Sequence, residues 1–70
     1  MWVVVGQDEM TPIYHGLERR TRSEAIAAFM AAKDARGYKN HNWSYYPRSF
    51  GYSCKRVSDV EAKKKIMSED

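Results

Sequence analysis

The order of signals along this chain predicts a small two-layer α+β domain, ββαβ in sequence, with one helix packed on a face of a three-stranded antiparallel sheet. Three stretches carry that expectation. "WVVV" at 2–5 is a β-branched run with a leading Trp. "RSEAIAAFMAAKDAR" at 22–36 holds six alanines and neither Gly nor Pro. "GYSCKRVSDV" at 51–60 regains strand-like composition after a long polar stretch.

Within 2–5 the apolar side chains fall on both parities, which suits a strand covered on both faces or the central strand of a small sheet. "GQDEM" at 6–10 opens with Gly and is polar, as a turn should be. "TPIYHG" at 11–16 predicts a second strand centred on Ile13 and Tyr14. Pro12 cannot donate to a ladder, so that strand lies at an edge or begins just after it. Residues 2–16 are therefore expected to form a β-hairpin.

The helix over 22–36 has the clearest boundaries. Thr21 and Glu24 make a capping box, and Ile26, Phe29 and Met30 form an apolar stripe with Ala25 beside them. Lys33 and Arg36 suit the last turns, and Gly37 suits the position just past the end. Asn40, Asn42, Ser44 and Pro47 then break both periodicities, which predicts a long connection over 37–50 with at most a short turn around Trp43–Tyr46. In the expected third strand, Tyr52 and Cys54 share a face but Val57 does not. Either a bulge near Lys55 and Arg56 or a change of buried face would explain the mismatch. Ser58 and Glu61 form a second, weaker capping box. The domain is expected to span 1–60, with 61–70 a short helix or a frayed tail, and the lysines at 63–65 on a solvated face.

Composition narrows the function. A chain of 70 residues is one domain at most, and its one Leu, three Ile and five Val cannot fill a core alone, so aromatic rings must do so. The net charge of +3 permits nucleic-acid contact without arguing for it. Cys54 is the single cysteine, which favours a reducing, cytoplasmic setting and a role as a small buried hydrophobe. No basic leader precedes the short apolar start, and no window approaches the roughly 20 apolar residues of a membrane span. A soluble intracellular protein without a membrane partner is expected.

Catalysis is not expected. His15, His41 and Cys54 are widely spaced, with no paired-ligand motif and no signature of an activated nucleophile, so neither a metal nor a cofactor is predicted. So short a chain is also expected to be too small to enclose a substrate pocket of about 300 Å³ or more.

"RSEAIAAF" in the helix, a Trp in "HNWSYY" and "GYSCKRV" in the last strand together resemble small uncharacterised proteins of tailed bacteriophages and prophages. The resemblance covers roughly residues 11–57, and its motifs are structural. This chain departs from them in a longer, more polar gap between the helix and Trp43. The resemblance implies a non-enzymatic protein acting in the bacterial host cell. It implies binding to a host protein or ribonucleoprotein complex, and inhibition or modulation of it. The ββαβ layout is similar to that of phage inhibitors of host polymerase and of CRISPR complexes.

"HNWSYYPRSFGYSC" at 41–54 is where function and core compete. Trp43, Phe50, Tyr52 and Cys54 are expected inside, leaving Tyr45 and Tyr46 with a ring face or hydroxyl exposed. The predicted partner-binding surface is the 38–48 connection, through Tyr38, Lys39, Tyr45, Tyr46 and Arg48, supported by Arg19 and Arg20. A protein partner is the leading expectation. The alternative is a nucleic-acid-binding protein, because interleaved aromatic and basic residues also suit single strands. A homodimer is a further way for so small a core to cover an edge strand or an aromatic patch.

Overall fold

The computed structural model describes residues 1–68. The elements are β1 (Trp2–Val5), α1 (Arg22–Ala35), α2 (Tyr45–Phe50), β2 (Ser53–Arg56) and α3 (Val57–Ser68). The chain is α+β, but among the described residues its sheet has two strands and it carries three helices instead of one.

β1 and β2 pair antiparallel, with Val4 opposite Cys54 and Trp2 opposite Arg56. The antiparallel direction is the one expected of the sheet. The other edge of β1 is where the prediction fails. Residues 11–16 form no strand, and only two isolated bridges remain, Val5 to Pro12 and Trp2 to Arg19. Three steps along β1 face seven along the opposing segment, so the chain between Pro12 and Arg19 must bow outward. Pro12 offers no N–H, and Gly16 has a φ of 78°, so the backbone bends where a ladder would have to continue. The turn before it does form. The Asp8 carboxylate accepts hydrogen bonds from the Thr11 hydroxyl at 2.6 Å and from the Met10 and Thr11 amides at 3.0 Å each.

α1 begins where its capping residue predicts, with the Glu24 amide donating to the Thr21 hydroxyl at 3.2 Å. It ends in a Schellman motif. The Tyr38 amide reaches the Lys33 carbonyl at 3.0 Å and the Gly37 amide reaches that of Asp34 at 3.0 Å. Gly37 has a φ of 91°, which a side chain would oppose. The closure folds Tyr38 back over the last turn of α1.

α2 corrects the reading of 37–50 as a connection with a mere turn. Pro47 breaks a helix only in its interior. Here it is the third helical residue, where the backbone N–H has no helical partner in any case. Gly51, left-handed at a φ of 73°, stops the helix and turns the chain into β2.

β2 is shorter than the expected 51–60 strand, because α3 starts at Val57. That resolves the parity mismatch with neither a bulge nor a switch of face. Tyr52 and Cys54 belong to the core under α1, whereas Val57 opens a helix on the opposite side of the sheet. The Val57 amide donates to the Met1 carbonyl at 2.8 Å, tying the start of α3 to the start of β1. Ser58 and Glu61 lie inside this helix, which runs on to Ser68, so of the two alternatives for the end of the chain, short helix or frayed tail, the segment is helical as far as Ser68. The last two positions of that predicted tail lie outside the described residues.

The sheet is therefore covered twice. Val4, Ala25, Phe29, Tyr46 and Cys54 form the larger cluster, and Val3, Val5 and Val60 form the smaller one on the other face, with Val57 beside it. The β-branched run at 2–5 is buried on both parities because helices sit on both sides.

Two predictions follow from this packing. Phe29→Ala should cost about 3–5 kcal/mol, and Val60→Asp, which buries an unpaired charge, several kcal/mol. A core of this size supplies only about 3–5 kcal/mol, so either change alone should abolish the cooperative urea transition, while exposed Glu61→Ala should leave its midpoint unmoved. The second prediction concerns acid. Hydrogen bonds from the Thr11 hydroxyl and from the Met10 and Thr11 amides hold the Asp8 pKa at about 2, against an ordinary 3.8. A depressed carboxyl stabilises the fold fully above its unfolded value and loses that contribution as the pH falls through its folded one. The Met10 and Thr11 amide shifts should accordingly titrate with a midpoint near 2, and a midpoint near 3.8 would show the turn to be open.

Candidate functional site

The Schellman closure of α1, the connection after it, α2 and the first residues toward β2 meet around one open cleft of about 300 Å³. Its walls are Lys33, Tyr38, His41, Tyr45, Tyr46, Phe50 and Tyr52. The chain was expected to be too short to enclose such a volume, and this cleft is open to solvent. Space is available because rings, and not aliphatic side chains, meet there, and flat groups packed at right angles leave a gap between them.

The geometry of the rings supports this. Tyr46 stands edge-on to Phe29 at a centroid distance of 5.2 Å and an interplanar angle of 90°. Tyr46, Phe50 and Tyr52 lie nearly parallel, with angles of 4°, 22° and 25° among them. The second wall is perpendicular to these. His41 stacks on Tyr45 at 3.7 Å and 7°, and Tyr45 meets Tyr46 at 84°. Each ring thereby fixes its neighbour in an offset or edge-to-face arrangement.

Lys33 supplies the charge. Its ammonium lies 4.7 Å from the Tyr38 ring centroid, 5.4 Å from Tyr14, 5.5 Å from Tyr46 and 5.8 Å from Phe29. Cation–π attraction holds it among these faces. Its ion-pairing capacity is unused: the salt bridges among the described residues join Glu9 to Lys55 and Lys63, on the other side of the molecule. The Tyr46 hydroxyl is also unpartnered, although the residue is only 1 % exposed. Burial pushes its pKa up, opposed in part by the Lys33 charge.

The predicted site residues divide into groups. Tyr38, Tyr45 and Tyr46 line the cleft. Lys39 and Arg48 are exposed on the adjoining connection and on α2, outside its walls. Arg19 and Arg20 precede α1, whereas the cleft lies at the opposite end of that helix. Eleven residues separate Arg22 from Lys33, about 17 Å at the α-helical rise. Arg19 has a structural task. Its backbone bridges Trp2, and its guanidinium donates to the Glu18 carbonyl at 2.8 Å and the Gly16 carbonyl at 3.3 Å.

The expected division of aromatics is partly reversed. Tyr46, expected at the surface, is the largest fully buried side chain, while Phe50, expected inside, is 48 % exposed. The cause is α2: once 45–50 is helical, one turn points Tyr46 at Phe29 and carries Phe50 to the rim. Trp43, Tyr45 and Tyr52 are half-buried, and Cys54 is buried as expected. Lys33, His41, Phe50 and Tyr52 were missed as lining residues. A signal for Lys33 was present, since it follows Phe29 by four residues and so shares its helix face.

The candidate nucleophile and ligands are dispersed. The Cys54 thiol faces the Arg22 carbonyl at 3.8 Å inside the core, and burial pushes its pKa up. Among the described residues, no group of three or more His, Cys, Asp or Glu is placed to hold a metal ion. None of the described helices is long and apolar enough to cross a membrane.

The unpartnered phenol yields a prediction. Removing a buried hydroxyl that bonds to nothing relieves its desolvation without breaking an interaction. Tyr46→Phe should therefore leave the free protein's melting temperature equal or higher, whereas Tyr46→Ala, which empties the core beside Phe29, should lower stability by about 3–5 kcal/mol. No protein-family model matches this chain, and neither does any curated protein or solved structure with which it was compared.

Proposed function

We propose that this chain is a non-catalytic binding protein that grips a protein partner through the aromatic cleft. The observation that carries the reading is the assembly of six rings and one unpaired ammonium around about 300 Å³. Two of those rings, Tyr38 at 53 % and Phe50 at 48 %, are exposed at its mouth. Concave sites rich in Tyr and Phe, with few charges, are what a single anchoring side chain from a partner fills. The resemblance to small phage-encoded proteins supplies the context: a host protein or ribonucleoprotein complex in the bacterial cytoplasm, such as a CRISPR effector or the transcription machinery, inhibited or modulated by binding.

Nucleic-acid binding is the second reading, and it draws on a different place. At the N-terminal end of α1 the Arg56 guanidinium lies 5.5 Å from the Trp2 ring centroid, with Arg20 and Arg22 exposed nearby in sequence. Single-strand binders use a track of exposed rings flanked by cations. In this protein most rings are occupied with one another, and the exposed arginines before α1 stand a helix length from the cleft. That favours the protein partner.

Nuclease-treated bacterial lysate passed over the tagged chain separates the readings. Tyr38→Ala and Phe50→Ala, both at exposed positions, should each weaken retention of a captured host protein about tenfold or more, as truncation of an anchor contact does. Arg20→Ala and Arg22→Ala should leave it unchanged. Retention that needs the arginines, vanishes with nuclease and falls by about 0.7 log unit per log unit of salt for each phosphate contacted would establish the nucleic-acid reading instead.

A further inference from the structure

The cleft has a chemical preference, which rests on the binding function proposed above. We propose that it recognises an acidic peptide segment of its partner, taking one aromatic side chain between the rings while a flanking carboxylate pairs with Lys33. Two independent features require a ligand of this kind. The first is shape: the parallel set containing Phe50 and Tyr52 and the perpendicular His41–Tyr45 stack leave room for one flat group, with exposed Phe50 and Tyr38 at the mouth.

The second is charge. An ammonium has three N–H donors, and no carboxylate among the described residues lies within 4.0 Å of the one on Lys33. Asp34 follows it on α1 but is exposed and makes no ion pair. No acidic side chain lines the cleft. The rings hold the ammonium in place but accept no conventional hydrogen bond, so an incoming carboxylate meets a positioned cation that has no ion-pair partner among the described residues. A neutral anchor gains nothing from this ammonium, whereas an anion pairs with it through a charge-assisted hydrogen bond. The same ammonium excludes cationic ligands, which an aromatic enclosure would otherwise favour.

A peptide is favoured over a nucleotide strand by the extent of the site. One ring-sized cleft with a single fixed cation suits an anchor residue and its neighbour. A strand needs successive open ring faces along a basic track.

The full chain, labelled with nitrogen-15, is titrated with three probes: the blocked peptide Glu-Asp-Phe-Asp-Glu, its neutral counterpart Gln-Asn-Phe-Asn-Gln, and decathymidylate. The acidic peptide should shift the amide signals of Tyr38, Tyr45, Phe50 and Tyr52 and bind about tenfold more tightly than the neutral one. Lys33→Met, which keeps the aliphatic stem among the rings, should abolish that difference, and Lys33→Arg should restore it. Equal affinity for the two peptides, an undiminished preference in Lys33→Met, or tighter binding of decathymidylate overturns the assignment. Should Lys33→Met not fold, the acidic–neutral difference in the parent chain and its loss at high salt decide the matter alone. Failure here is distinguishable from failure of the broader reading. Capture of a host protein that depends on Tyr38 and Phe50, but not on Lys33 or on partner acidity, leaves the cleft as the binding site and removes only its preference.

Discussion

The fold depends on Phe29 being surrounded by other rings. Its centroid lies 5.2 Å from Tyr46, 5.7 Å from Trp43, 5.8 Å from Tyr14 and 6.0 Å from Tyr52, three of the four edge-on. Those partners come from the bowed segment after β1, the connection after α1, α2 and the approach to β2. One side chain of α1 thus joins four separate segments of the chain. A chain with a single Leu has no aliphatic substitute for this arrangement. Edge-to-face contacts add about 0.5–1.5 kcal/mol each beyond the area they bury, which is a large fraction of the stability available to a domain this small.

The opposite face of the sheet obeys a simpler rule. Val3 and Val5 point away from α1 because side chains alternate along a strand, and Val60 of α3 covers them. Without α3 the two valines would face water from the middle of the molecule. The third helix is therefore what permits a run of three consecutive valines in the sheet.

Much of this was legible in residues 1–36. The valine parity announced a strand covered on both faces, and Thr21, Glu24 and Gly37 marked the limits of α1 to within a residue. Three features were not legible, each because a local rule met a position-dependent exception. Pro47 looked like a helix breaker, yet it occupies the first turn of α2, where its missing N–H costs nothing. Ser58 and Glu61 looked like the start of a helix that in fact begins at Val57, where the Met1 carbonyl receives the first amide. No sequence pattern reveals that partner. Ile13 and Tyr14 looked like a strand, but Pro12 and Gly16 on either side deny the segment a continuous ladder. For the site, residue type was readable and side was not: Tyr46 and Phe50 exchanged roles because their exposure follows from the phase of a helix that the prolyl residue concealed.

That exchange bears on how function and stability are coupled here. In a large domain the residues that form a core and those that form a site are different residues. In this chain Tyr46 belongs to both, packed edge-on to Phe29 on one side and forming the wall of the cleft on the other. Lys33 is similar, since its ammonium is held by Tyr14 and Phe29 from the core and by Tyr38 from the rim. The inner wall of the cleft is consequently part of the core. The same sharing limits change. If the cleft binds as proposed, substitutions at Tyr46 or Tyr52 should alter folding and binding together, while those at Tyr38 and Phe50, which the Gly37 and Gly51 closures place at the mouth, should alter binding with the least effect on the core. On the proposed function, specificity can therefore change most freely at the two exposed rings, and not deeper without a cost to the fold.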